Sequence, residues 1–306
     1  MKRVVSVSLG SAARDHRATI ELSGERVAIE RRGYDGRVAR ARDAIAELDR
    51  AGEVAAIGLG GIDLYLHVGA RRYAMRDGER LRAAALRTPV VDGSGLKNTL
   101  EYDAVAIFAR ACGLELYGKN VLMVSALDRY GMARGFIDAG ARVLFGDFIF
   151  ALDLDRPVRD LAAFEALAER YLPDACRLPF QFFYPTGAKQ DRPPEPKYAS
   201  YYEEADLIAG DFHFIRRYLP PRLDGKIVVT NTVTAGDVQD LRARGVATLV
   251  TTTPDLGGRS FGTNAIEAAL VAVLGPQAAG DDAAIARAAA ELGLRPHVRH
   301  LRGGAA

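Results

Sequence analysis

Tryptophan is absent from the 306 residues, cysteine occurs twice and lysine only six times. Cys112 and Cys176 lie too far apart to suggest a disulfide framework or a metal-ligand spacing. Both read as buried, reduced thiols, which predicts a cytoplasmic protein. Charge of one sign is also scarce: 41 basic residues face 39 acidic ones, a formal net charge of +2. So small an excess gives no general reason to invoke nucleic acid or an acidic membrane surface. No apolar run reaches the roughly 18 residues that a membrane-spanning helix needs. The opening stretch has a basic flank but no sustained apolar core or cleavage site, and reads as a first strand. Zinc-protease and Cys/His-cluster spacings are missing, so no metal is expected.

With 49% hydrophobic and 26% charged residues, the chain has the material for one large or two ordinary domains. Apolar runs at residues 3–9, 19–22, 27–31 and 54–59 read as strands, and helical spacing of Val38, Ala41, Ile45 and Leu48 predicts a helix over 37–50. A helix is expected over 78–86, a short strand at 90–91 and a helix over 96–111. From residue 121 the alternation becomes regular. Strands at 121–124, 142–145, 207–209, 227–229 and 247–250 alternate with helical stretches at 130–139, 161–171, 237–244 and 265–274. Such alternation predicts right-handed crossovers and a mostly parallel sheet with helices on both faces. The expected fold is therefore α/β with two lobes, the C-terminal one Rossmann-like. The expected divisions are 1–112, a substrate-binding α/β domain, 113–280, and a C-terminal helix and tail, 281–306, that packs back on the first domain. The proline-rich stretch 179–198 reads as a loop too polar to be core.

In open parallel sheets ligands bind outside the carboxyl ends of the strands. Two neighbouring runs empty there into small polar side chains: Thr230, Asn231 and Thr232, then Thr251, Thr252 and Thr253. Beyond the second, Gly257 and Gly258 permit close backbone approach, while Arg259, Ser260, Thr263 and Asn264 offer donors to a ligand or cap a helix. The turn after strand 121–124 carries Ser125, Asp128 and Arg129, where a helix start would meet ligand phosphates or simply be capped. The GxGxxG fingerprint is absent from it.

Lys97 follows the turn Asp92-Gly93-Ser94-Gly95. A lysine in an arginine-dominated chain suits proton transfer, with Asp92 or Asp63 as partner, unless it is a solvent-facing residue of a helix capped by Ser94. Gly58-Leu59-Gly60-Gly61-Ile62-Asp63 reads as a tight turn between strands. His213, in Gly210-Asp211-Phe212-His213, places an imidazole at another strand end, a general acid/base or a structural side chain.

These motifs, with Ser6-Val7-Ser8-Leu9-Gly10-Ser11 and Thr251-Thr252-Thr253-Pro254, resemble those of bacterial proteins described as quinate 5-dehydrogenase, over most of the chain. The resemblance implies NAD or NADP-dependent oxidation of quinate or a related polyhydroxylated ring acid. By analogy with shikimate/quinate dehydrogenases it implies a Lys/Asp catalytic pair, Lys97 with Asp92, assisted by His213. Cofactor would lie on Ser125, Asp128, Arg129, Thr230, Asn231, Thr232, Thr252 and Thr253. Substrate would meet Asp63, Arg259, Ser260, Thr263 and Asn264. The family's glycine-rich cofactor turn is missing at 125–132. That keeps a second expectation open: a non-redox α/β protein binding a phosphate- or carboxylate-bearing metabolite, as a regulator or transferase-like enzyme. Either way the expected partner is a small molecule, with a homodimer left open.

Overall fold

The computed structural model describes residues 1–182, 184, 193–253 and 261–301. In chain order it begins with β1 (Lys2–Ser8), β2 (His16–Leu22), β3 (Glu25–Gly33), α1 (Val38–Ala51), β4 (Ala56–Gly60), β5 (Tyr65–Val68), β6 (Arg71–Ala74), α2 (Arg76–Arg82), β7 (Val90–Val91) and α3 (Ser94–Lys97). There follow α4 (Leu100–Ala111), β8 (Asn120–Met123), α5 (Tyr130–Asp138), β9 (Arg142–Phe145), α6 (Asp147–Phe150), α7 (Leu161–Ala175) and α8 (Ala199–Glu204). Then come β10 (Leu207–Gly210), α9 (Phe212–Arg217), β11 (Ile227–Thr230), α10 (Ala235–Ala243), β12 (Thr248–Thr251), α11 (Thr263–Leu274), α12 (Asp282–Glu291) and β13 (His297–His300).

The chain forms two compact units, each stitched from three stretches. Unit 1 is Met1–Thr99, Tyr171–Asp191 and Gly262–Leu294; unit 2 is Leu100–Arg170, Arg192–Phe261 and Arg295–Ala306. The first passage from one to the other falls at Thr99/Leu100, before α4, and not at 112/113. Helix α12 belongs to unit 1, while the tail supplies β13 to the sheet of unit 2, a strand the sequence does not predict.

Unit 1 holds a sheet of order β2-β3-β1-β4-β7, parallel from β3 to β7, with β2 antiparallel at the edge. β1 is central and buried from Val4 onward on both faces, Ser6 and Ser8 included. α11 is mostly apolar and buries nearly every residue, packing on β1, β3, β4 and β7. Gly58 makes that approach: a Cβ there would stand 2.6 Å from the Asn264 carbonyl oxygen. Asn264 also donates from Nδ2 to Ser6 Oγ at 2.7 Å. At Gly61, φ of 72° turns the chain out of β4 toward the β5–β6 hairpin, as a tight turn should. Phe180 lies fully buried in this core with Ile45, Ile57 and Leu81, so the proline-rich stretch does contribute core at its start.

Unit 2 holds a sheet of order β13-β12-β11-β10-β8-β9 in which β8 to β12 are all parallel. β13 pairs antiparallel to β12. Counting parallel strands along the chain, the order is second, first, third, fourth, fifth, which is the doubly wound arrangement with a switch point between β8 and β10. Right-handed crossovers put α5 on one face and α9 and α10 on the other. Thr230 and Thr251 are direct register partners, so the two threonine-rich ends do lie side by side. Cys176 is buried, as expected, but Cys112 is only half-buried. Among the described residues no helix is long and apolar enough to cross a membrane.

Gly58→Ala should destabilise the protein by about 1–3 kcal/mol, because the added methyl meets backbone that cannot rotate away. Urea denaturation monitored by circular dichroism would check it; an unchanged midpoint would contradict the close approach of α11.

Candidate functional site

In unit 1, Asp63 and Asp92 follow the carboxyl ends of the neighbouring strands β4 and β7. Lys97, at the end of α3, is 7% exposed, and its Nζ is paired with Asp63 Oδ1. The other Asp63 oxygen accepts from the Tyr184 hydroxyl at 2.5 Å. A lysine and a carboxylate buried and paired in this way depend on each other, and removing either strands the other. Asp92 is engaged differently. Its Oδ2 accepts from the Leu64 N–H at 2.6 Å and its Oδ1 from the Ser94 N–H at 3.0 Å, which ties the turn to the start of β5. Lys97 is therefore partnered by Asp63, the alternative to Asp92, and Asp92 is placed as a turn-holding carboxylate. Lys97 is not a solvent-facing lysine.

Thr263 and Asn264 sit at the start of α11 against the Gly93 turn. A Cβ on Gly93, where φ is 91°, would lie 2.5 Å from Thr263 Oγ1 and 2.7 Å from Asn264 N. Both residues are packing groups of unit 1, whereas Thr251–Thr253 belong to unit 2. Gly258-Arg259-Ser260-Phe261-Gly262 also spells GxSxG. Gly258, Arg259 and Ser260 of that motif lie outside the described residues.

At the switch point of unit 2 stands Arg129, 3% exposed. Its Nη1 donates to Glu101 Oε1 at 2.5 Å, its Nη2 to Asp211 Oδ2 at 3.1 Å and its Nε to Asp128 Oδ2 at 3.0 Å. Thr252 Oγ1 donates to the same Glu101 oxygen at 3.1 Å, and Asn231 Nδ2 to Asp211 Oδ2 at 2.6 Å. Thr230 Oγ1 donates to the Gly210 carbonyl and Thr253 Oγ1 to that of Asn231. Ser125 Oγ accepts the Asp211 N–H at 3.0 Å. Thr232 is half-buried beside them. The expected cofactor residues are thus brought together, but largely bonded to one another. His213 is the second residue of α9, its N–H donating to the capping Asp211 carboxylate at 2.9 Å. It belongs to unit 2 and Lys97 to unit 1.

The turn after β8 does not fit a dinucleotide pyrophosphate. The N–H groups of Ala126 and Leu127, which would meet phosphate, donate to the two oxygens of Asp147 at 3.1 and 2.9 Å. Burial pushes Asp147 up to about 7 against the pull of these donors. At Gly210, whose φ is 131°, a Cβ would touch Val124 Cγ2 at 2.7 Å and Ser125 Oγ at 2.9 Å, so the strand ends close on each other. A nicotinamide dinucleotide would find both of these N–H donors already taken by a carboxylate.

A family model described as Domain of unknown function (DUF8754) matches residues 95–301, and another, Domain of unknown function (DUF8753), matches residues 3–92. The chain belongs to the DUF8754 family. No curated protein matches this member in sequence. Solved structures with similarity include AraP, an arabinose binding protein from Geobacillus stearothermophilus, at 12% identity and a TM-score of 0.39 over 82% of this chain and 81% of that one. A 5-methylthioribose transporter solute binding protein from Thermotoga lettingae is 13% identical, with a TM-score of 0.38 over 98% and 86%. A glutamate dehydrogenase from Thermus thermophilus is 15% identical, with a TM-score of 0.39 over 96% and 77%.

Glu101, Asp147 and Tyr184 belong to none of the motifs that stand out in the sequence. Glu101 does carry a usable signal: it shares a helical stripe with the buried Ala104, Val105 and Phe108. Arg129→Met should cost about 3–5 kcal/mol, since Glu101 and Asp211 lose their buried counter-charge. Adding Glu101→Leu should recover part of that loss in thermal melts; strictly additive losses would mean the pair is not coupled.

Proposed function

We propose that this protein is an acid–base enzyme acting on a small hydroxylated or oxo metabolite, with Lys97 and Asp63 of unit 1 as its proton-handling pair. The observation that carries the reading is the burial of that ion pair at the carboxyl end of the sheet, with Tyr184 on the second Asp63 oxygen. An ammonium held in this way can donate its proton to an oxyanion forming on a substrate. In the reverse direction the amine takes a hydroxyl proton, and Asp63 stabilises the ammonium that results. Exclusion of water around the pair strengthens both effects. Arginine cannot replace lysine in this role, because it does not give up its proton near neutral pH.

A second reading keeps the oxidation of quinate or a related polyhydroxylated ring acid by NAD or NADP. The Lys/Asp pair favours it, being the arrangement that the resemblance implies. The self-satisfied turn after β8 weighs against it. Regulatory or transferase-like binding of a phosphate- or carboxylate-bearing metabolite has no comparable observation behind it.

Metabolites retained by the natively purified protein should first be identified by mass spectrometry, and their conversion then followed by NMR. Lys97→Arg should still bind such a metabolite while converting it about 10²–10⁴-fold more slowly. Equal conversion by wild type and Lys97→Arg would remove Lys97 from the chemistry. Quinate-dependent reduction of NAD or NADP would select the second reading, and no nicotinamide binding by calorimetry would dismiss it.

A further inference from the structure

In unit 1 the β5–β6 hairpin, the end of α2 and the segment after it, the edge strand β7 and the helices α11 and α12 line a half-open pocket of about 480 Å³. Small-molecule sites span about 300–1,000 Å³. Neither Lys97 nor Asp63 lines it. Its charged lining sets Asp92, Glu267 and Asp282 against Arg72, Arg82 and Arg87, and His67 also lines it. Two of these carboxyl groups converge on one point: a Cβ on Gly95 would lie 3.2 Å from Glu267 Oε2 and 3.3 Å from Asp282 Oδ1. Glu267 is 4% exposed in an otherwise apolar helix, and its Oε2 accepts the Leu96 N–H at 3.3 Å. The guanidinium of Arg72 is held over the Tyr65 ring, 4.1 Å from the centroid. His67 has a buried Nε2 with no hydrogen-bond partner.

Glu267 and Asp282 at a cavity wall cost folding energy, because burial and the neighbouring Asp92 oppose their ionisation. They make sense if something else satisfies them. A simple anion would face Asp92 and Asp282, and a simple cation would face Arg72, Arg82 and Arg87. Hydroxyl groups suit both signs, since each donates one hydrogen bond and accepts others.

We propose that this cavity binds a small, neutral, polyhydroxylated ring, with Glu267 and Asp282 taking adjacent hydroxyls and Arg72 a third oxygen. The site is independent of the proton-transfer reading, and polyol binding without any turnover supports it whatever Lys97 does. Burial first, then the like charges of Asp92 from the β7 turn and Asp282 from α12, pushes Glu267 up to about 8, against the Leu96 and Gly95 N–H groups. Burial also raises Asp282 and lowers His67, with Asp282, Asp92, Arg72 and Lys97 as the charged groups acting on that imidazole. Near neutral pH, Glu267 is therefore a protonated carboxyl that both donates and accepts.

The experiment is calorimetric titration of the full chain with myo-inositol, D-ribose and D-glucose, with L-glutamate and inorganic phosphate as charged probes. Saturable binding of at least one neutral polyol is expected, weakened about tenfold or more by Asp282→Asn. Wild-type affinity should fall as pH rises through the value for Glu267, between about pH 7 and about pH 9, while Glu267→Gln stays flat. Raising the pH also removes some folding stability, since the folded pKa lies above the ordinary one, so each titration is run where circular dichroism reports native protein. Binding of only the charged probes, or no saturable polyol heat with folded protein, would overturn the proposal. So would a Glu267→Gln variant that loses polyol affinity with pH as wild type does; this keeps the test open if Asp282→Asn fails to fold.

Discussion

Helix α11 lies on β1 and β4 at a separation that only glycine on the strand permits, and much of unit 1 is arranged by that approach. Asn264 reaches Ser6 on the central strand, and its carbonyl occupies the space above Gly58. The same helix start fills the space over Gly93, which fixes the β7–α3 turn carrying Asp92 and leading to Lys97. One turn further along, Glu267 reaches the N–H of Leu96. The burial of a single apolar helix thus sets the register of the charged groups around it. Packing of this density tolerates little adjustment, so the geometry of the Lys97–Asp63 pair is inherited from the core beneath it.

A second regularity is common to the two units. Strand-to-helix turns that meet ligand anions in nucleotide-binding folds are here answered by the chain's own carboxylates. Asp147 receives two N–H groups at the turn after β8, Asp211 caps α9, and Asp92 holds the turn before α3. Each replaces a bound anion by a tethered one, which lowers the entropy cost of satisfying those donors. The arginine at the switch point is similarly consumed by three acidic neighbours. Polar groups at strand ends therefore mark where the fold concentrates its hydrogen bonding, whether or not a ligand shares in it.

Much of the fold was legible because its signals are local. Apolar runs of three or four residues ending in small or polar residues gave β8 to β12, and the helical spacing of Val38 to Leu48 gave α1. The pairing of Thr230 with Thr251 followed from strand order alone. What escaped depends on groups distant in sequence. Nothing near Lys97 distinguishes Asp92 from Asp63; the choice is made by the Leu64 and Ser94 N–H groups, which claim Asp92 first. Asp147 is twenty residues from the donors it satisfies, and Tyr184 is far from Asp63 in sequence. The discontinuous units were hidden for the same reason. β13 has the composition of a tail, His297-Val298-Arg299-His300, and becomes a strand only because β12 offers it an open edge.

The assembly of each unit from three separate stretches has a bearing on how the molecule comes into being. A ribosome finishes the strands of the first sheet long before it makes residues 263–274, so β1 and β4 must wait with the surface destined for α11 uncovered. During that interval the nascent protein presents a smooth, glycine-lined apolar plane, a surface suited to chaperones and prone to association with its like. Truncation anywhere ahead of α11 would make that temporary condition permanent.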